Sequence, residues 1–430
     1  MKHSIILIGL WCMVAFNAFP QHILTIDDCH KLALSNNYSL KISQNNVMAA
    51  KEEQHQAFTN YFPVVSATGV AFQADKGMAK LSVTPDMSLN MLKNGRAGSI
   101  TAVQPVFTGG QIANGNSLAK LGVEVNRLKK EQTEKEIALT VEQYFWQVVA
   151  LQEKLKTIQS VDTMLNSLCH DVTIAVSAGI VNRNDLLQVQ LKKSSIAVDS
   201  INIGNNIELG KMLLAQYIGL EYYDFDLSYD MAYNLPARMP DSLYFPPLSA
   251  LPQTTEYTLL QKNVEANKLK VRMAIGKNLP KISVGAGYMY HNFLDTDRSF
   301  GMIFASVAIP ISSWWGGSHE IRKQKIQAIN AEYRMQDQSQ KLLIRIQQAW
   351  NDLENAYKQL SINYASIEQA KENLRLNTDY YHAGTVKIND LLEAQSLYQQ
   401  SLDKYTDAYC AYRIKTVEYM QVTGKKIINC

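Results

Sequence analysis

Asp390 and Glu393 stand three residues apart in a stretch without Gly or Pro. On a helix that spacing puts both carboxylates on one face. Repeated around a symmetry axis, the pair would form two stacked acidic rings, a constriction that favours cations. The plainer reading is that Asp390 favours a positive helix start and Glu393 is a solvated surface acid. Asp185 holds the matching position in an earlier stretch, where a capping Asn184 explains it equally well. Nothing else in the chain suggests chemistry. His22, His30, His55, His170, His291, His319 and His382 are scattered, with no His-x-x-x-His pair. No P-loop, dinucleotide fingerprint or nucleophile elbow is present. The expectation is a non-enzyme with no cofactor and no bound metal.

The balance of 42 basic against 39 acidic residues, with no basic block, argues against a nucleic-acid partner. Cys29, Cys169, Cys410 and Cys430 lack metal-ligand spacing and are expected as buried free thiols, although an exported chain could oxidise them. Residues 1–20 read as a secretory signal, with Lys2 and His3 before the apolar run Ile5 to Phe16 and cleavage expected between Ala18 and Gln21. Cys12 follows bulky Trp11, which argues against a lipid anchor there. No later segment offers about twenty continuous apolar residues, so a membrane-spanning form would have to use strands.

The acids belong to a stretch that occurs twice. Gly179-Ile-Val-Asn-Arg-Asn-Asp-Leu-Leu-Gln-Val-Gln190 and Gly384-Thr-Val-Lys-Ile-Asn-Asp-Leu-Leu-Glu-Ala-Gln395 lie 384 − 179 = 205 residues apart. A repeat at fixed offset sets an architecture. Each copy separates two long helical runs and reads as a sharp reversal. Gly179 and Gly384 end one helix in a left-handed cap, and Asn184 and Asn389 cap the next.

The flanking elements follow in order. A helix from Thr25 to about Tyr61, interrupted near Asn36-Asn37, stops before Pro63. Strands are expected at about 64–74 and 99–107, separated by a polar loop over roughly 75–98, with Gly109-Gly110 turning the chain out. Long helices follow over about 111–178 and 184–217; the first would be about 100 Å long and needs a partner along its length. Residues 219–253, broken by Pro236, Pro240, Pro246, Pro247 and Pro252, form a connector with a short strand near Tyr222 to Leu227 and packing tyrosines. The second repeat spans 254–424, ahead of a tail at 425–430. It has a helix from Tyr257 to Lys277, strands at about 281–290 and 300–309, and helices at about 318–383 and 389–421. In the strand after Pro280, Ile282, Val284, Ala286, Tyr288 and Tyr290 face one way, and Ser283, Gly285 and Gly287 the other. Trp314, Trp315 and Phe107 fall where strand passes to helix, suited either to a membrane-interface belt or to packing at the kink.

The fold class is therefore mainly α with a small β part, in two repeats of helix–strand–strand–long helix–helix. Four strands cannot close a barrel, and their open edges are not tolerated in lipid. Three copies would bring twelve strands and one closed barrel. A soluble periplasmic coiled-coil scaffold with a small capping sheet is the alternative.

Over nearly the whole mature chain the sequence resembles the TolC family of outer-membrane efflux proteins. The resemblance is carried by Leu24-Thr25-Ile26 to Asn37, Phe62-Pro63, Gln104-Pro105-Val106-Phe107 with Gly109-Gly110, the two Gly…Asn-Asp-Leu-Leu tips, and Val422-Thr423-Gly424. It implies a homotrimer with a twelve-stranded outer-membrane barrel joined to a twelve-helix periplasmic tunnel. It implies a passive exit duct gated at the helix tips, partnered by a periplasmic adaptor and an inner-membrane RND or ABC transporter. Asp390 and Glu393 match the family's acidic selectivity gate. Tyr381 and Asp185 match the tyrosine and aspartate of its closing network, whose arginine position reads Val386 here, with Lys387 or Arg183 as the nearby basic substitutes.

Overall fold

A computed structural model describes residues 22–425 except 78, 85–86, 92, 222–223, 232–242 and 294–295. The expected signal segment, Cys12, Cys430, the tail beyond 425, Pro236, Pro240 and the Tyr222-Tyr223 pair lie outside the described residues. The chain divides into two units, one of Met1–Lys41, Thr133–Pro246 and Arg345–Cys430, the other of Ile42–Gln132 and Pro247–Ile344. Each unit takes corresponding parts of both repeats, because the division falls inside both long helices.

The second unit holds a four-stranded antiparallel sheet in the order β2 (Val64–Gln73), β5 (Asn94–Phe107), β7 (Lys281–Phe293), β8 (Thr296–Ala308). The alternation read from Ile282 onward is the alternation observed, since successive strand residues face opposite sides. On one face Ser66 and Thr101 share a hydrogen bond of 3.0 Å, and Thr68 and Ser99 one of 2.7 Å. Register slips between Pro105 and Phe107, where proline has no N–H to give the ladder. Among the described residues, β2 and β8 are the open edges.

The polar loop expected over 75–98 is instead a hairpin of β3 (Ala79–Thr84) and β4 (Met87–Met91), and the next strand begins at Asn94 rather than at 99. The hairpin accounts for a mismatch between repeats. Pro63 to Pro105 spans 105 − 63 = 42 positions, whereas Pro280 to Pro310 spans 310 − 280 = 30. The later strands are also longer than expected, with Asp297 inside β8.

Gly109 and Gly110 leave the sheet in left-handed conformation, φ 64° and 76°, and lead into α3 (Gln111–Ser177), 67 residues long. At the matching exit, α7 (Ser313–His382) starts at Ser313, not at 318, and takes Trp314, Trp315, Gly316 and Gly317 into its first turns. Asn278 packs where a side chain at Gly317 would stand, so glycine permits the close approach there, and the Trp314 indole donates to the Asn278 carbonyl at 2.9 Å. Trp315 is 82% exposed and Phe107 43%, so neither fills a core at the kink within the protomer.

In the first unit, β1 (His22–Leu24) pairs in parallel with β6 (Phe225–Leu227), the strand expected in the connector. The helix α1 (Ile26–Asn36) opens on a capping box in which Thr25 and Asp28 exchange two 3.2 Å bonds. Asn37 separates it from α2 (Tyr38–Thr59), holding the Ser39 amide and donating to Tyr217 O, both at 2.9 Å. The connector continues through α5 (Pro247–Ala250) and a 3-10 turn to α6 (Thr255–Lys277). Val141, Phe145, Leu214, Ile218 and Phe225 anchor one core. Cys29 and Cys410 are free thiols within it, each pushed up to about 12, chiefly by burial. Cys169 is a half-buried free thiol. The return helices are α4 (Arg183–Ile218) and α8 (Ile388–Val422). Near its end α8 is tied to the connector, where the Tyr419 hydroxyl accepts the Phe245 amide at 2.8 Å.

Candidate functional site

Both helix reversals are built alike. Gly179 and Gly384 have φ of 72° and 70°. Ile180 N–H donates to Ala175 O and Gly179 N–H to Val176 O, at 2.9 and 3.0 Å; Thr385 and Gly384 repeat the pattern on Tyr380 O and Tyr381 O at the same distances. These paired bonds satisfy carbonyls the helix end leaves open.

The caps differ from expectation by two residues. Asn182 and Lys387 have the extended backbone of an N-cap, so Asn184 and Asn389 are second residues of their helices and cap nothing. Asn182 makes no side-chain cap bond, and Lys387 has no acceptor to offer. At the second tip Asp390 takes over, its carboxylate accepting the Lys387 amide at 3.0 Å. The Asp390 side chain thus serves the helix start whatever else it does.

Ile388, Leu391 and Leu392 are buried in a core with Val172, Val189 and Ile196. That burial orients α8, leaving Asp390 and Glu393 exposed on the other side, one turn apart. Tyr381 packs against the same core, half-buried, and its hydroxyl is pushed up first by burial, then by the Asp185 and Asp171 carboxylates. The fold therefore brings Tyr381 and Asp185 into one electrostatic neighbourhood. It adds Asp171, which the sequence did not single out; at 381 − 171 = 210 positions from Tyr381, no local spacing signals it. Val386 is half-buried, and Arg183 and Lys387, both exposed, make no ion pair among the described residues. Among the described residues of the chain, no ion pair supplies a basic partner for Tyr381 or Asp185.

Among the described residues no group of His, Cys, Asp or Glu could hold a metal ion, and no helix is long and apolar enough to cross a membrane. What the second tip presents is two exposed carboxylates, Asp390 and Glu393, one turn apart.

The architecture of helical hairpins, small sheet and duplicated tips is shared with solved outer membrane proteins. The family model for outer membrane efflux protein matches residues 260–425, which run from α6 to the end of α8. The first repeat is matched through the fold. The outer membrane protein VceC of Vibrio cholerae is similar over 94% of this chain and 97% of its own, with a TM-score of 0.78 at 13% identity. CusC, solved in a study of transmembrane channel formation, is similar over 93% and 92%, with a TM-score of 0.80 at 13% identity. The Neisseria gonorrhoeae MtrE outer membrane channel in its open state is similar over 93% and 89%, with a TM-score of 0.74 at 15% identity. At such identities the structural likeness is one of fold. No curated protein sequence matches. The chain resembles the outer membrane efflux family by sequence in its second repeat and by fold over nearly its whole length.

Proposed function

We propose that three copies of this chain form a passive outer-membrane exit duct of a tripartite efflux or type I secretion complex. The chain is a transport protein of the outer membrane with a large periplasmic part, not an enzyme. Its halves, 21–218 and 254–424, joined through 219–253, each contribute two wall strands and a helical hairpin. The observation that carries the reading is the sheet. One face presents Val65, Ile100, Ala286, Tyr288, Ile303 and Val307; the other carries the hydroxyls Ser66, Thr68, Ser99, Thr101, Ser283 and Ser306 among Val64, Val70, Phe300, Met302 and Phe304. Ile303 is 90% exposed and Val65 66%, so the apolar face has no cover within the chain. An exposed apolar face and two open edges are costly in water, and open edges are not tolerated in lipid. Joining β8 of one copy to β2 of the next three times removes both costs. It gives a closed twelve-stranded wall with lipid outside and the hydroxyl-bearing face turned to the lumen.

The long hairpins then continue the wall as a twelve-helix tunnel, and their tips form the periplasmic entrance. Asp390 and Glu393 form the acidic rings there, and the Asp185–Tyr381 neighbourhood forms the contact between coils. A periplasmic adaptor engages the coils, and an RND or ABC transporter of the inner membrane supplies the work. Fractionation tests the reading: the protein is expected in the outer membrane as a detergent-requiring, heat-modifiable trimer. A monomer in the soluble periplasmic fraction would replace it with the coiled-coil scaffold.

A further inference from the structure

Where β7 begins and β8 ends, the second unit encloses a pocket of about 740 Å³. Leu118 of α3, Met273 and Ala274 of α6, and Ile309 after β8 give it an apolar lining. Its charged groups are unbalanced: Lys270, Lys277 and Lys281 line it, against the single carboxylate of Glu320. Glu320 is already engaged, with Lys323 at 3.6 Å, the Gln324 amide nitrogen at 2.8 Å, and Lys277 acting on it electrostatically. Among the described residues the side chains of Lys270 and Lys281 have neither an ion pair nor a hydrogen bond. The remaining amide oxygen of Gln324 is buried without a partner, which leaves an acceptor in want of a donor. The pocket lining thus combines excess positive charge, one unused acceptor and an apolar surface.

Its orientation follows from register. Lys281 shares a strand face with Ser283 and lies opposite Ala308, which also lines the pocket. That is the face that carries the serine and threonine hydroxyls, turned to the lumen if the duct reading holds, and the inference rests on that reading. We propose that this pocket is a binding site in the conduit wall for an anionic amphiphile that carries a hydroxyl group. The anionic group sits among the three ammonium groups, the hydroxyl donates to Gln324 Oε1, and the apolar body lies on Leu118, Met273 and Ile309. Three copies place nine lysines around the duct at one level. Such a band favours anions by charge, and the apolar lining and the Gln324 acceptor make the block saturable.

Cholate, which has a carboxylate, hydroxyls and an apolar body, is a suitable probe below its micellar range. The full-length trimer is reconstituted in planar bilayers at low salt, where charge is least screened, with dodecyltrimethylammonium as the cationic control. Cholate is expected to block the current saturably. K270Q/K277Q/K281Q should raise the half-blocking concentration roughly tenfold, while E320Q lowers it and block by the cation is not weakened in the triple variant. K281Q alone, at an exposed strand position, should shift cholate block in the same direction if the triple variant assembles poorly. Equal cholate block in the wild type and in K281Q, or no cholate block of a conducting pore, would overturn the site and leave the duct standing. A trimer that conducts nothing removes the duct and the site together.

Discussion

The carbonyl of Gly276 occupies the place where any side chain at Gly109 would begin, and the carbonyl of Gly109 does the same at Gly276. The start of α3 and the end of α6 therefore touch backbone to backbone, and the Gln111 side chain reinforces the contact by donating to Met273 O. Gly109 is also left-handed, at φ 64°. Gly109→Ala combines a strained backbone with an overlap that no rotamer relieves, so a loss of about 2–4 kcal/mol is expected. Gly384 is left-handed too, at φ 70°, but faces open space, so Gly384→Ala should cost only about 1–2 kcal/mol. Thermal unfolding in detergent, followed by helical circular dichroism, separates the two. Equal midpoints would mean that the junction relaxes.

The acidic face at the second tip makes a prediction about current. Glu393→Gln leaves the helix start intact and should lower cation preference measured as reversal potential across a salt gradient. Asp390→Ala/Glu393→Ala should lower it further. The double change also removes the acceptor of the Lys387 amide, at a cost of about 0.5–2 kcal/mol, so the single variant is the cleaner probe. Unchanged selectivity in both would discard the rings.

Elements with a strong period were legible. The 205-residue duplication located both tips, and alternation from Ile282 onward gave the faces of β7. The errors have physical causes. The hairpin within residues 75–98 shows no such period, because its strands are only six and five residues long. The helix expected from about 318 begins at Ser313, and inside it the bare Gly317 makes room for Asn278. Asn184 and Asn389 have the residue type of a cap, but the backbone enters each helix two residues earlier, and at the second tip Asp390 holds the N-cap amide. Asp171 beside Tyr381 is a tertiary neighbour with no trace in local spacing.

Asp403 on α8 predicts a pH dependence. Its carboxyl is pushed up to about 6, first by burial and then by Asp407 and Asp199, against the attraction of Lys154. One of its oxygens is buried without a hydrogen bond. A raised carboxyl favours the protonated form in the folded state, so its stabilising share is complete below the ordinary value of 3.8 and is lost as pH rises through about 6. Asp403→Asn keeps the shape and removes the charge. Its thermal midpoint should match the wild type near pH 4 and exceed it increasingly up to pH 7. A constant offset across that range would point to packing instead of ionisation.

The two sheet faces should respond oppositely to charge. Ile303 and Thr101 both lie well inside the sheet, but on opposite faces by register. If the Ile303 face meets hydrocarbon, Ile303→Arg places a guanidinium in the lipid at a cost of about 2–4 kcal/mol near the midplane. Three copies feel that cost in each trimer. Thr101→Arg puts the same group on the face that carries Ser66 and Ser99, where lumen water solvates it. Heat-modifiable trimer recovered from outer membranes should therefore fall sharply for Ile303→Arg and stay near the wild-type level for Thr101→Arg. Both variants expressed as soluble monomer, or a reversed order of recovery, would show that the apolar face is covered by something other than lipid.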